Sequence, residues 1–222
     1  MEIIPNVHQI KDVVVNLYLI AEPDGLTLID AGFGKDARKI LAYMAEMRRQ
    51  PQELRRILIT HCDGDHVGGV AALKAKTGAR VYASSLEAQA MASGVASRPM
   101  QQSGPLSILM SRLDFLFKFT PAQADETLSA GQVLPVLGGL QVIATPGHTP
   151  EHVSLFAPQY GILFCGDSMT SSRGRLQRSG GPATWDADQA LESVRRQAAL
   201  GAKVVCSGHG PVVIDVAGKF PI

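Results

Sequence analysis

Residues 60 to 69 read THCDGDHVGG and place His61, Asp63, Asp65 and His66 within six positions, in a chain with six histidines in all. Imidazole and carboxylate are the ligands that borderline divalent metals such as zinc accept, and a pair of such ions needs about six or seven of them, one carboxylate lying between the ions. Three further candidates follow: His148 after QVIAT, Asp167 after ILFC and His209 after KVVC. Any one of these residues alone is weak evidence for a metal, since a lone Asp after a strand is more often a turn former or helix cap, as Asp65 could be just before a helix starting near Val67. Seven together point to a metal site.

What must position them is a set of short apolar strands. Each candidate follows a run such as RRILIT, LQVIAT, GILFC or AKVVC, at its C-terminal end, on a loop that contains glycine. Loops at the C-terminal ends of strands converge on a common site in α/β sheets. Ahead of them, VVVNLYLI, EPDG and LTLID read as a hairpin, Lys35 to Arg49 as a helix, GGVAALKAKTG as a helix ending at Gly78, and ARVYAS as a strand. In the second half HVSLFAP is a further strand, SMTSSRGRLQRSGGPATW a loop, and Asp186 or Asp188 caps a helix running to about Leu200.

The stretch from about 85 to 126 interrupts this rhythm as a helical excursion. Within it, residues 105 to 119, PLSILMSRLDFLFKF, carry apolar residues at the helical period on two faces, which fits a buried helix, a substrate-pocket wall or a dimer contact. The three arginines of the later loop, Arg173, Arg175 and Arg178, are either solvated or placed to meet a substrate carboxylate or phosphate. His8 is expected on the surface of an edge strand, and His152 as support for a ligand rather than a ligand.

The motifs THCDGDHVGG, TPGHTPEHVSL, FCGDSM and SGHGP, together with LTLIDAGFG, resemble in order and spacing the metallo-β-lactamase superfamily, particularly its glyoxalase II-like and lactonase-like hydrolases. The resemblance covers nearly the whole chain. It implies an α/β fold, a four-layer αββα sandwich with metals at one edge. By position, His61, Asp63 and His148 would hold a first metal, Asp65, His66 and His209 a second, and Asp167 would bridge. The resemblance departs at Asp63, where the family's motif has a histidine.

The reaction so implied is hydrolysis of an ester, thioester, lactone or amide by metal-activated water, with Asp65 carrying a proton to the leaving group. Two zinc ions per chain are expected, with manganese or iron possible. Two divalent ions and a hydroxide with Asp63, Asp65 and Asp167 sum to zero charge, against +1 with a histidine at 63, which favours a less acidic water and a harder metal. An alternative uses His61, His148 and Asp167 alone, the two-histidine, one-carboxylate set of non-haem iron, as in persulfide dioxygenases of the same superfamily.

The bulk composition narrows the rest. The 222 residues, 45% hydrophobic and 18% charged, suit one domain over 1–222, and a net charge of +1 disfavours nucleic acid as a partner. The N-terminal MEIIPNVHQIKDVVVNLYLI lacks a basic leader, and Cys62, Cys165 and Cys206 are three in number without CxxC spacing. A cytoplasmic protein acting on a small molecule, off the membrane, as monomer or homodimer, is the expectation.

Overall fold

A computed structural model of the protein describes residues 1–98 and 118–222. The apolar stretch at 105 to 119 therefore lies outside the described residues except for Lys118 and Phe119.

Seven strands form the first sheet, in spatial order β1 (Glu2–Ile4), β2 (Val7–Lys11), β3 (Asn16–Glu22), β4 (Gly25–Ile29), β5 (Leu54–Leu58), β6 (Arg80–Ala83) and β7 (Glu126–Thr127). The β3–β4 hairpin turns at Pro23-Asp24, as the sequence indicates, and β4, β5 and β6 run parallel with helices between them. Those helices are α1 (Asp36–Glu46), α2 (Gly64–Val67) and α3 (Val70–Thr77), while α4 (Ser85–Ser93) follows β6. Gly78 ends α3 in the left-handed conformation, at φ 71°.

The second sheet takes the order β15 (Val213–Ile214), β14 (Val204–Ser207), β11 (Ile162–Gly166), β10 (Val153–Ala157), β9 (Leu140–Ala144), β8 (Val133–Leu134). Helix α5 (Ala187–Ala198) precedes β14, and Asp186 caps it by accepting the backbone N–H groups of Asp188 and Gln189.

Period-two alternation explains the layering. Leu17, Leu19, Leu26 and Leu28 turn one way and pack with Ile40 and Met44 of α1 and Leu73 of α3. Tyr18, Ile20, Ile29 and Leu58 turn the other way and meet Val142, Leu155, Phe164 and Cys206 of the second sheet. On that sheet's far face, Phe156, Leu163, Cys165 and Val205 pack with Val194 of α5. The result is the αββα sandwich.

Two expectations are corrected. The stretch after Asp167 is not a plain loop: it holds the antiparallel pair β12 (Met169–Ser172) and β13 (Arg175–Arg178), joined at Arg173 and Gly174 with φ of 50° and 73°. Two successive positive φ values are the mark of a tight hairpin turn, and glycine tolerates one of them. His8 is not on an edge strand, because β1 pairs outside β2; it is half-buried, with Nδ1 3.2 Å from the Tyr43 hydroxyl. Among the described residues no helix is long and apolar enough to cross a membrane.

Candidate metal centre

Strands β4 and β5 run parallel, and so do β9, β11 and β14, since β10 lies antiparallel to both β9 and β11. Their C-terminal ends deliver Asp30, the His61–His66 turn, His148, Asp167 and His209 to one edge of the sandwich. The backbone N–H of Val153 bonds the Thr60 carbonyl at 3.0 Å and joins the two sheets there. Asn16 and Tyr18 clamp the end of β14 by donating to the Ser207 carbonyl at 3.0 and 2.6 Å.

All seven predicted residues are brought together. Their ligand atoms fall into three overlapping sets, His61/His66/Asp167, His61/Asp63/His148 and Asp65/His66/His209, each with its atoms within 4.8 Å of one another. Asp167 lies between the other two sets. Its Oδ1 is 3.4 Å from His66 Nε2, and its Oδ2 is 3.0 Å from His209 Nε2 and 3.7 Å from His148 Nε2.

Each of the four histidines is anchored through Nδ1. His66 Nδ1 donates to Asp30 Oδ2 at 2.8 Å, and His209 Nδ1 to the Val14 carbonyl at 2.8 Å. His61 Nδ1 lies 3.0 Å from Thr60 Oγ1, which itself donates to Asp30, and His148 Nδ1 lies 3.0 Å from Ser179 Oγ. That leaves the four Nε2 atoms facing the carboxylates, the arrangement in which an outer hydrogen bond orients a metal-binding imidazole.

The residues fit a divalent ion. His61 Nε2, His66 Nε2 and Asp167 Oδ1 are buried atoms without a hydrogen-bond partner, a costly state for polar groups in a protein interior. A Cβ on Gly208 would collide with Asp167 Oδ1 and lie 2.7 Å from His66 Cε1, so the site depends on a glycine there. The carboxylates also call for positive charge. Burial lowers the His66 pKa, yet Asp167, Asp30 and Asp65 outweigh it and push it up to about 10; in His209 burial is likewise outweighed, chiefly by the hydrogen bond to Asp167, to about 9. Burial works to raise the Asp167 pKa, but His66 and the hydrogen bond from His209 hold it well below the carboxylate range. Burial keeps His148 basicity low despite Asp63.

Sequence reasoning missed three contributors. Asp30 accepts from Thr60 N at 2.9 Å, Thr60 Oγ1 at 2.8 Å and His66 Nδ1; its place at the end of LTLID was the signal. Glu87, fully buried on α4, accepts Cys62 N–H at 2.8 Å and the Thr149 hydroxyl at 2.5 Å, tying the His61 loop to the His148 loop. It shares the inward face of α4 with Ala90 and Met91, where a lone acid is out of place. Arg98, which no pattern marks, grips Asp63 with both terminal nitrogens, at 3.1 and 2.7 Å.

His152 supports the site, as expected. Its buried Nε2 accepts the Asp167 backbone N–H at 3.1 Å, and Nδ1 lies 2.8 Å from Thr145 Oγ1. Arg173, Arg175 and Arg178 are exposed on the β12–β13 hairpin.

This arrangement agrees with the match of residues 10–209 to the metallo-beta-lactamase superfamily. The chain belongs to that superfamily. It is 30% identical to the probable metallo-hydrolase YflN of Bacillus subtilis over 96% of this chain and 86% of that one. It is 33% identical to a hydroxyacylglutathione hydrolase of Albidiferax ferrireducens over 87% of this chain, spanning 61% of that longer protein. Among solved structures, the metallo-beta-lactamase family protein TTHA1429 of Thermus thermophilus superposes with a TM-score of 0.74 at 26% identity, over 98% of this chain and 78% of that one.

Proposed function

We propose that this superfamily member is a metal-dependent hydrolase that cleaves an ester, thioester, lactone or amide bond in a small molecule. The observation that carries the reading is the overlap of three His/Asp ligand sets around Asp167, with unpartnered buried atoms facing one another.

His61, Asp63 and His148 would hold one ion, Asp65, His66 and His209 the other, with Asp167 shared. Bound divalent metal would supply an acidified water and a Lewis acid for the scissile carbonyl. The protein's own contribution is orientation and proton handling. Asp30, Thr60, Ser179 and the Val14 carbonyl fix the imidazole planes. Asp65 lies 3.4 Å from His209 Nε2 with its side chain 21% exposed, so it can reach both the site and an entering substrate and pass a proton to the leaving group. The hydroxyacylglutathione hydrolase likeness favours a thioester as the first substrate to try.

The test is purified protein, loaded with zinc, manganese or iron, against thioesters, lactones, simple esters and β-lactams. Turnover of one class, lost in Asp65→Asn and His66→Ala, is expected; no turnover of any would remove the hydrolase reading. Stoichiometric iron with oxygen uptake on glutathione persulfide would replace it by the dioxygenase alternative.

A further inference from the structure

Arg98 occupies a place that the metal-site reading leaves unexplained. Its side chain is 9% exposed, and Nε donates to the Ala183 carbonyl at 2.9 Å, which fixes the guanidinium plane from behind. Nη1 and Nη2 take both oxygens of Asp63, and Nη2 also lies 3.5 Å from His148 Nε2. Both oxygens of Asp63, one of the three ligand residues of the first set, are thus already engaged by a guanidinium.

Asp63 is free for this role because it stands at the N-terminal boundary of α2 without capping the helix through its side chain. The spacing of the set, with Asp63 Oδ2 3.2 Å from His148 Nε2 and 3.6 Å from His61 Nε2, leaves a divalent ion and the guanidinium contending for the same lone pairs. Around the other position the contrast is clear: among the described residues, Asp65 and Asp167 form ion pairs with histidines only.

We infer that Arg98 is the resident cation of the first position, so that a divalent ion binds there only against the guanidinium, whereas among the described residues no arginine or lysine pairs with the carboxylates of the second. The inference rests on the proposed ligand assignment and deepens it: the two positions are unequal, and a side chain of this protein sets the difference. Asp63 in place of a histidine then has a purpose, since a carboxylate can be claimed by an arginine and an imidazole cannot be held in the same bidentate way.

The experiment is zinc titration of chelator-stripped protein by calorimetry, with metal counting after gel filtration, on the wild type, Arg98→Met, Arg98→Lys and the double variant Arg98→Met/His148→Ala. The wild type should take one zinc ion tightly and a second at least about tenfold more weakly, because like charges repel strongly in a buried site. Arg98→Met should take two ions of affinities within about threefold, Arg98→Lys, which keeps the charge without the two-pronged grip, should fall between it and the wild type, and the double variant should lose the ion gained. Two equal ions in the wild type, or a second-ion affinity unmoved in Arg98→Met, overturns the inference and leaves the hydrolase reading standing. Absence of zinc binding in every variant, each folded by circular dichroism, overturns both.

Discussion

Asp30 Oδ2 lies 2.8 Å from His66 Nδ1 and accepts the Thr60 hydroxyl at the same distance, so one carboxylate braces both the start and the end of the His61–His66 turn. Asp30 itself sits at φ 58°, a left-handed conformation that asparagine tolerates at least as well. Asp30→Asn should therefore keep the backbone while losing an acceptor, since its amide nitrogen cannot receive a hydrogen from either partner. Zinc affinity at the Asp65/His66/His209 position should fall about 10- to 100-fold, measured against a competing chelator. Unchanged affinity would mean that the turn holds His66 without Asp30.

Glu87 joins two loops that lie far apart in sequence, through Cys62 N and the Thr149 hydroxyl. Glu87→Ala strands a buried N–H and a buried hydroxyl, each costing about 1–3 kcal/mol when left unpaired. The expected result is a lower urea midpoint for Glu87→Ala and a smaller loss for Glu87→Gln, which keeps one acceptor. Equal stability of all three proteins would show that neighbouring groups take over both bonds.

The sandwich and most of the site are legible in the sequence because they depend on local pattern. Leu17, Tyr18, Leu19 and Ile20 alternate between two cores, and His61, Asp63, Asp65 and His66 share one turn, so neither needs long-range information. Arg98 and Glu87 work only through tertiary approach to Asp63 and to Cys62 and Thr149, which no spacing announces. The β12–β13 hairpin escaped because its strands are short and polar, leaving Arg173-Gly174 as the sole turn signal. Arg98 also places beside Asp63 the unit of positive charge that a carboxylate in place of a histidine removes.

Asp63→Ala tests that pairing from the other side. It removes a carboxylate that burial works to protonate but that His148, His61 and Arg98 hold well below its ordinary pKa. The guanidinium, 9% exposed, would be left without its partner, and breaking such a pair costs about 3 kcal/mol or more. Thermal unfolding should show the loss, and Arg98→Met/Asp63→Ala should recover part of it. If Asp63→Ala melts as the wild type does, the pair adds nothing to stability.

The three thiols provide an independent check on the layers. Cys62, Cys165 and Cys206 are free and buried, and burial pushes each thiol pKa up, reinforced at Cys62 by Glu87 and Asp63. A raised thiol pKa keeps the sulfur protonated and unreactive at pH 8. A disulfide reagent such as Ellman's should find no fast-reacting thiol in the folded protein and all three after unfolding in guanidinium. Fast labelling of one thiol at native conditions would place that sulfur outside the core.

Gly208→Ala asks whether Asp167 is the shared group. Gly208 follows β14, its N–H donates to the Gly166 carbonyl at 2.8 Å, and its backbone is not among the positive-φ glycines, so alanine is conformationally acceptable there. The nearest atoms to the added methyl would be those of the Asp167 carboxylate and His66 Cε1. Displacing Asp167 touches the carboxylate that faces both ligand sets, whereas Arg98→Met touches one. Metal content should therefore fall at both positions, with kcat/KM on any accepted substrate falling at least about 100-fold while far-ultraviolet circular dichroism is unchanged. Full metal content in a folded Gly208→Ala protein would mean that Asp167 can shift without consequence, and its role between the two sets would have to be given up.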